Sequence, residues 1–72
     1  MSADIAEKIG TYRRLAGLTH LELARGCGVG LSAVTAWAGG AKRPSIENLV
    51  KLATLFELSG QERIAFYESA AR

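Results

Sequence analysis

The spacing of Ala24, Gly28 and Val34 constrains this chain more than any other feature. They lie in HLELARGCGVGLSAVTAWAG, residues 20–39, where two short apolar-patterned segments flank a glycine. Ala24 is small enough for a second helix to cross closely over the first, and Gly28 can take the positive φ that a tight interhelical turn requires. Val34 supplies a branched knob that locks the crossing. This is the grammar of a helix-turn-helix.

At 72 residues the chain accommodates a single domain, one that buries only about 60% of the surface it exposes when unfolded. The lone Cys27 excludes an internal disulfide, and no Cys/His cluster has zinc-ligand spacing, so helix packing must hold the fold unaided. No stretch approaches the roughly 18 apolar residues of a membrane span, and residues 1–10 lack a basic segment leading into an apolar signal core. The expectation is a cytosolic protein with no membrane partner. The net charge of +2 is unevenly spread: residues 8–51 carry seven Lys or Arg against Glu22 and Glu47, whereas both ends are net acidic. Basic charge around the central helices suits a polyanionic partner.

Periodicity and caps predict five helices and no strand, repeat or low-complexity run. Helix 1 is expected from about Ala3 to Ala16, with Ile5, Ile9, Tyr12 and Ala16 on one stripe, Leu15 beside it, and Gly17 as its stop. Thr19 and Glu22 form a capping box that opens helix 2, which runs to about Gly26 with Leu23 and Ala24 inward. Helix 3 is expected from Leu31 to Ala38, with Val34 and Trp37 on the inner face and Gly39-Gly40 as terminator. The basic loop Ala41-Lys42-Arg43-Pro44-Ser45 leads into helix 4, where Ser45 caps and Ile46, Leu49, Val50, Leu52, Ala53 and Phe56 are apolar over more than one face. Ser59 and Glu62 read as a second capping box opening helix 5, through Ile64, Phe66, Tyr67 and Ala70.

Arg13, the entry Gly17-Leu18-Thr19, Leu23-Ala24, Gly28, Val34, the Gly40 stop and Pro44-Ser45 stand together in one register. In that register, residues 5–58 resemble the helix-turn-helix domain of the phage-repressor, Cro and xenobiotic-response-element (XRE) class of bacterial regulators. The tail LSGQERIAFYESAAR resembles the fifth helix that follows this domain in many actinobacterial regulators. The resemblance implies a compact, all-α, five-helix lambda-repressor-like fold occupying residues 1–72, with the helix-turn-helix at about 19–38. It also implies sequence-specific binding to double-stranded DNA as a transcriptional regulator, with repression the expected outcome. In this class helix 3 enters the major groove and helix 2 crosses the backbone with its N-terminus toward a phosphate.

Carried over position by position, the groove-facing residues are Gly30, Leu31, Ser32, Thr35 and Ala36, and the backbone contacts are Thr19, His20, Lys42 and Arg43. A homodimer is expected, with the apolar surplus of Val50, Phe56, Ile64, Phe66 and Tyr67 at its interface. The chain departs from the class in two places. From Gly30 to Ala36 no residue offers the bidentate hydrogen bonds that Arg gives guanine or Gln and Asn give adenine, so direct readout is thin. Relatives also pair the helix 1 arginine with a glutamate two residues before the glycine that closes helix 3, where this chain has Ala38. Arg13 must then find another carboxylate, Glu22 being the candidate, or turn to solvent or phosphate.

Leu31 and Ala36 also suit an alternative: a protein-interaction module of the same fold, an antitoxin-like or anti-repressor partner. Catalysis is not expected, because carboxylate pairs, a nucleophile relay and a metal cluster are all missing from the sequence, and no cofactor is implied. His20 has no Ser, Cys or Asp arranged for catalysis, Trp37 and Cys27 read as core residues, and the alternating Gly26, Gly28 and Gly30 lack the strand and lysine of a phosphate loop.

Overall fold

The computed structural model describes residues 4–71 and orders them into α1 (Asp4–Ala16), α2 (His20–Cys27), α3 (Leu31–Gly39), α4 (Ile46–Leu55) and α5 (Gly60–Ala70). Each expected helix is present, with α2 and α3 running one residue beyond their expected ends. The expected start of the first helix, Ala3, lies outside the described residues.

Local chemistry sets the corner between α2 and α3. The Glu22 N–H donates to Thr19 Oγ1 at 3.1 Å and the Thr19 N–H donates to the Glu22 carboxylate at 2.7 Å, closing the capping box that starts α2. Gly28 ends the helix at φ 71°, and its N–H bonds back to the carbonyls of Ala24 and Arg25. A side chain there would meet no atom within 4 Å, so the glycine is needed for its backbone conformation and not for space. The next N–H, of Val29, reaches the Ala24 carbonyl at 3.0 Å, and α3 begins two residues later.

The helices close on one core, with α2 packed against α3 and α4, α1 against α3 and α5, and α4 against α5. Each helix contributes a fully buried side chain: Ile9, Leu23, Val34, Leu52 and Phe66. Trp37 and Cys27 join them, as expected. Truncating Leu23 or Leu52 to Ala would cost about 2–5 kcal/mol, a large share of the about 5–15 kcal/mol that stabilises a small domain. At Gly26 α2 faces Leu55 of α4 closely: an added Cβ would lie 2.7 Å from a Leu55 methyl, so that side chain would have to move.

Four expectations are corrected. Phe56 and Phe66 were placed at a dimer interface, yet both are buried, Phe66 completely. Their rings stand edge to face with centroids 6.0 Å apart, and the Tyr12 ring lies 5.8 Å from Phe56, so they form an aromatic cluster inside the core. Ala16, expected on the inward stripe of α1, is exposed, because the helix runs past the core in its last turn. The Ser59–Glu62 box does not form: Ser59 is the N-cap residue but makes no side-chain capping bond, and Gly60 follows it at φ 59°. The positive φ turns the chain away from the geometry a reciprocal box requires, and Glu62 instead accepts a 3.4 Å hydrogen bond from the Tyr12 hydroxyl. Finally, Arg13 does not turn to Glu22, which is engaged in the α2 cap; its guanidinium donates to the Leu18 carbonyl at 2.8 Å.

Cationic side chains tie the helix ends together. Lys51 on α4 donates to the Cys27 carbonyl at 3.3 Å, placing positive charge at the C-terminus of α2, where the helix dipole favours it. Arg63 on α5 donates to the Leu58 carbonyl at 3.1 Å and lies over the Tyr67 ring at 5.5 Å.

Candidate nucleic-acid interface

Burial of Val34 and Trp37 fixes the rotation of α3 about its axis. With these two residues inward, Leu31, Ser32 and Thr35 are exposed, Ala36 is half-buried, and exposed Gly30 stands at the N-cap. Of the five positions expected to face a groove, Leu31, Ser32 and Thr35 are thus exposed on the first turns of a nine-residue helix, Gly30 is exposed just before it, and Ala36 is half-buried at the edge. Gly30 makes no side-chain capping bond, which leaves the N-terminal N–H groups of α3 uncovered by a side chain.

The row is chemically uniform. Leu31 keeps 47% of its surface exposed. Thr35 Oγ1 donates to the Leu31 carbonyl at 3.0 Å, so its hydroxyl proton is committed to its own helix. Ser32 retains an exposed hydroxyl as the donor of the row. No residue from Gly30 to Gly39 carries a charge or a carboxamide.

The residues expected to touch the DNA backbone divide. His20 is the half-buried first residue of α2, and Lys42 is exposed in the loop after α3. Thr19 is exposed, but both its backbone N–H and its hydroxyl oxygen serve the Glu22 box. Arg43 reaches across to the end of α5, where its guanidinium donates to the Ala70 carbonyl at 3.3 Å. That contact was not foreseen, since it spans 27 positions and nothing in the local sequence signals it.

A second exposed surface lies on the α4–α5 side. Ile46, Val50 and Ile64 are 79%, 43% and 49% exposed, and a groove of about 410 Å³ runs between Pro44, Ile46, Leu49, Val50, Tyr67 and Ala70. Of the five residues expected at a dimer interface, Val50 and Ile64 are exposed here and Tyr67 lines the groove.

Two titratable groups are shifted. Burial first, then the nearby Glu62 carboxylate and its hydrogen bond, push the Tyr12 hydroxyl above its ordinary value. Burial likewise raises the Cys27 thiol, opposed by Lys51. Both shifts keep the group neutral and unreactive near pH 7. Among the described residues no cluster of His, Cys, Asp and Glu could hold a metal ion, and no helix is long and apolar enough to cross a membrane.

Comparison with known families matches residues 9–63 to a helix-turn-helix family model. No curated protein and no solved structure matches the chain. The matched span covers α2 and α3 entire, begins inside α1 and ends in the first turn of α5.

Proposed function

The chain belongs to the XRE and lambda-repressor-like helix-turn-helix family of DNA-binding regulators, and we propose that it is a sequence-directed transcriptional regulator, most simply a repressor, that binds double-stranded DNA through α3. The observation that carries this reading is the exposure of Gly30, Leu31, Ser32 and Thr35 on a helix locked in rotation by Val34 and Trp37. A helix so held presents the same side chains at every encounter, which groove readout demands. Exposed Lys42 supplies a phosphate contact beside it, and His20 at the start of α2 a second.

One module offers limited contact area, and a twofold dimer doubles it while setting half-sites about one helical turn apart. The α4–α5 groove lined by Val50 and Tyr67, together with exposed Ile64 on α5, is the surface we assign to that dimer. Ile64→Glu, which places a charge on a half-exposed position, is expected to weaken self-association in sedimentation equilibrium without lowering the melting temperature. Unchanged self-association would remove Ile64 from the interface.

Selection from a random pool of about 30-base-pair duplexes tests the central reading, at a salt concentration that disfavours nonspecific binding, whose Kd is about 10⁻⁴ to 10⁻⁶ M. An enriched palindrome supports a dimeric, sequence-reading regulator; no enrichment overturns it. The exposed Leu31 supports one alternative, a protein-interaction module of the same fold. Leu31→Arg separates the two. It strengthens or redirects DNA binding in the first case and breaks a protein complex in the second.

A further inference from the structure

We propose that α3 reads the 5-methyl groups of pyrimidines in the major groove, with Leu31 and Thr35 as the specificity-determining pair; this rests on the DNA-binding reading above. Leu31 and Thr35 are four residues apart and so share one face of α3. Leu31 presents a half-exposed branched aliphatic side chain at the first helical position. The 3.0 Å bond from Thr35 Oγ1 to the Leu31 carbonyl takes the threonine's only proton, so Thr35 contributes no donor to a base edge and its methyl remains for contact. Ala36 adds a methyl, Gly30 adds no side chain, and Ser32 is left as the one side-chain donor, Thr35 Oγ1 keeping only its capacity to accept.

Base edges differ sharply in how they meet such a row. Guanine, cytosine and adenine present donors and acceptors in the major groove, while thymine adds an apolar C5-methyl. Covering a polar edge with Leu31 strips it of water without replacing the hydrogen bonds, which is unfavourable. Covering a methyl removes apolar surface from water on both sides. Selectivity then comes from the penalty on the wrong base as much as from the attraction of the right one. The same chemistry extends to 5-methylcytosine, which carries its methyl at the equivalent position, and it predicts that methylation of a contacted cytosine tightens binding.

The test compares twin duplexes. A sequence enriched from the random thymine-containing pool is synthesised with thymine and again with uracil, which differs only by the C5-methyl group, and both are titrated by fluorescence anisotropy. Each contacted methyl is expected to be worth about fourfold in Kd, the burial of one methyl-sized group. Leu31→Ala should bring the thymine-to-uracil ratio toward one, and 5-methylcytosine should outbind cytosine where it replaces a contacted thymine. A wild-type ratio of one overturns the inference and leaves DNA binding intact. So does a ratio that persists unchanged in both Leu31→Ala and Thr35→Ala. Failure of the thymine pool to yield any enriched duplex instead overturns the DNA-binding reading, and the inference falls with it.

Discussion

Arg13 is the place where one substitution should make this domain more stable. Its guanidinium is half-buried and donates to the Leu18 carbonyl, but Nε is buried without an acceptor. Ala38, half-buried in the last turn of α3, stands where the resemblance to the regulator class implies a glutamate, and α1 packs against α3. In Ala38→Glu the new carboxylate is expected to supply the missing acceptor, through the α1–α3 packing. A hydrogen bond to a charged group contributes about 1.5–3 kcal/mol, and relieving a buried orphan donor about 1–3. Against this stand the glutamate's lost rotamer freedom, about 1.5–2 kcal/mol, and its negative charge near a helix C-terminus, about 0.3–1. The ranges net to between about −0.5 and about +4 kcal/mol, and a gain of at least about 1 kcal/mol is expected. At about 4–8 °C per kcal/mol for a domain of this size, the melting temperature should rise by at least about 4 °C. The carboxylate's native pKa is depressed by the pairing, so the gain holds above its unfolded value of about 4.3 and is lost as pH falls through the native one. A double-mutant cycle with Arg13→Met isolates the pair. No rise in melting temperature, or an equal rise in the Arg13→Met background, would refute the assignment of Arg13 as an under-satisfied buried cation.

Glu57 sits in the left-handed region at φ 58°, just past the end of α4; Glu57→Gly relieves that strain and is expected to raise stability by about 1 kcal/mol in thermal melts. Lys42→Ala should weaken binding about equally across DNA sequences and reduce the salt-dependence slope by about one unit. Arg43→Ala should lower the melting temperature as well, because it removes the bond to Ala70, and an unchanged melt would show that this bond adds nothing. The Tyr12 hydroxyl titrates higher in the folded state, so its contribution is complete below the unfolded value of about 10 and is lost as pH rises through the native one. Alkaline melts should therefore steepen above that pH in the wild type and flatten in Tyr12→Phe.

Signals carried within a few residues were legible from the sequence. The Thr19 box, the glycine at position 28 and the Gly39-Gly40 stop depend only on neighbours in the chain, and they delimit α2 and α3 within a residue. The spacing of Val34 and Trp37 marked the inward face of α3, while the groove-facing positions came from the resemblance to the regulator class. What escaped was anything settled by distant packing. The apolar residues of α4 and α5 cover more than one face, so periodicity alone could not assign Phe56 and Phe66 to the core and Val50 and Ile64 to the surface. The Ser59–Glu62 spacing met the pattern of a box, but the conformation at Gly60 decides it and a pattern does not encode φ. A search for carboxylates overlooked the Leu18 carbonyl as the partner of Arg13. Gly26 carried a signal that was available: a small residue in the last turn of α2 marks a helix approach, here to Leu55.

The hydrogen bond from Arg43 to Ala70 gives one guanidinium two claimants. On the proposed reading the same side chain is also a phosphate contact, so a guanidinium that now closes the last turn of α5 would be shared with the DNA backbone. Were Arg43 to leave Ala70 for a phosphate, DNA engagement and order in the final turn of α5 would be reciprocally linked.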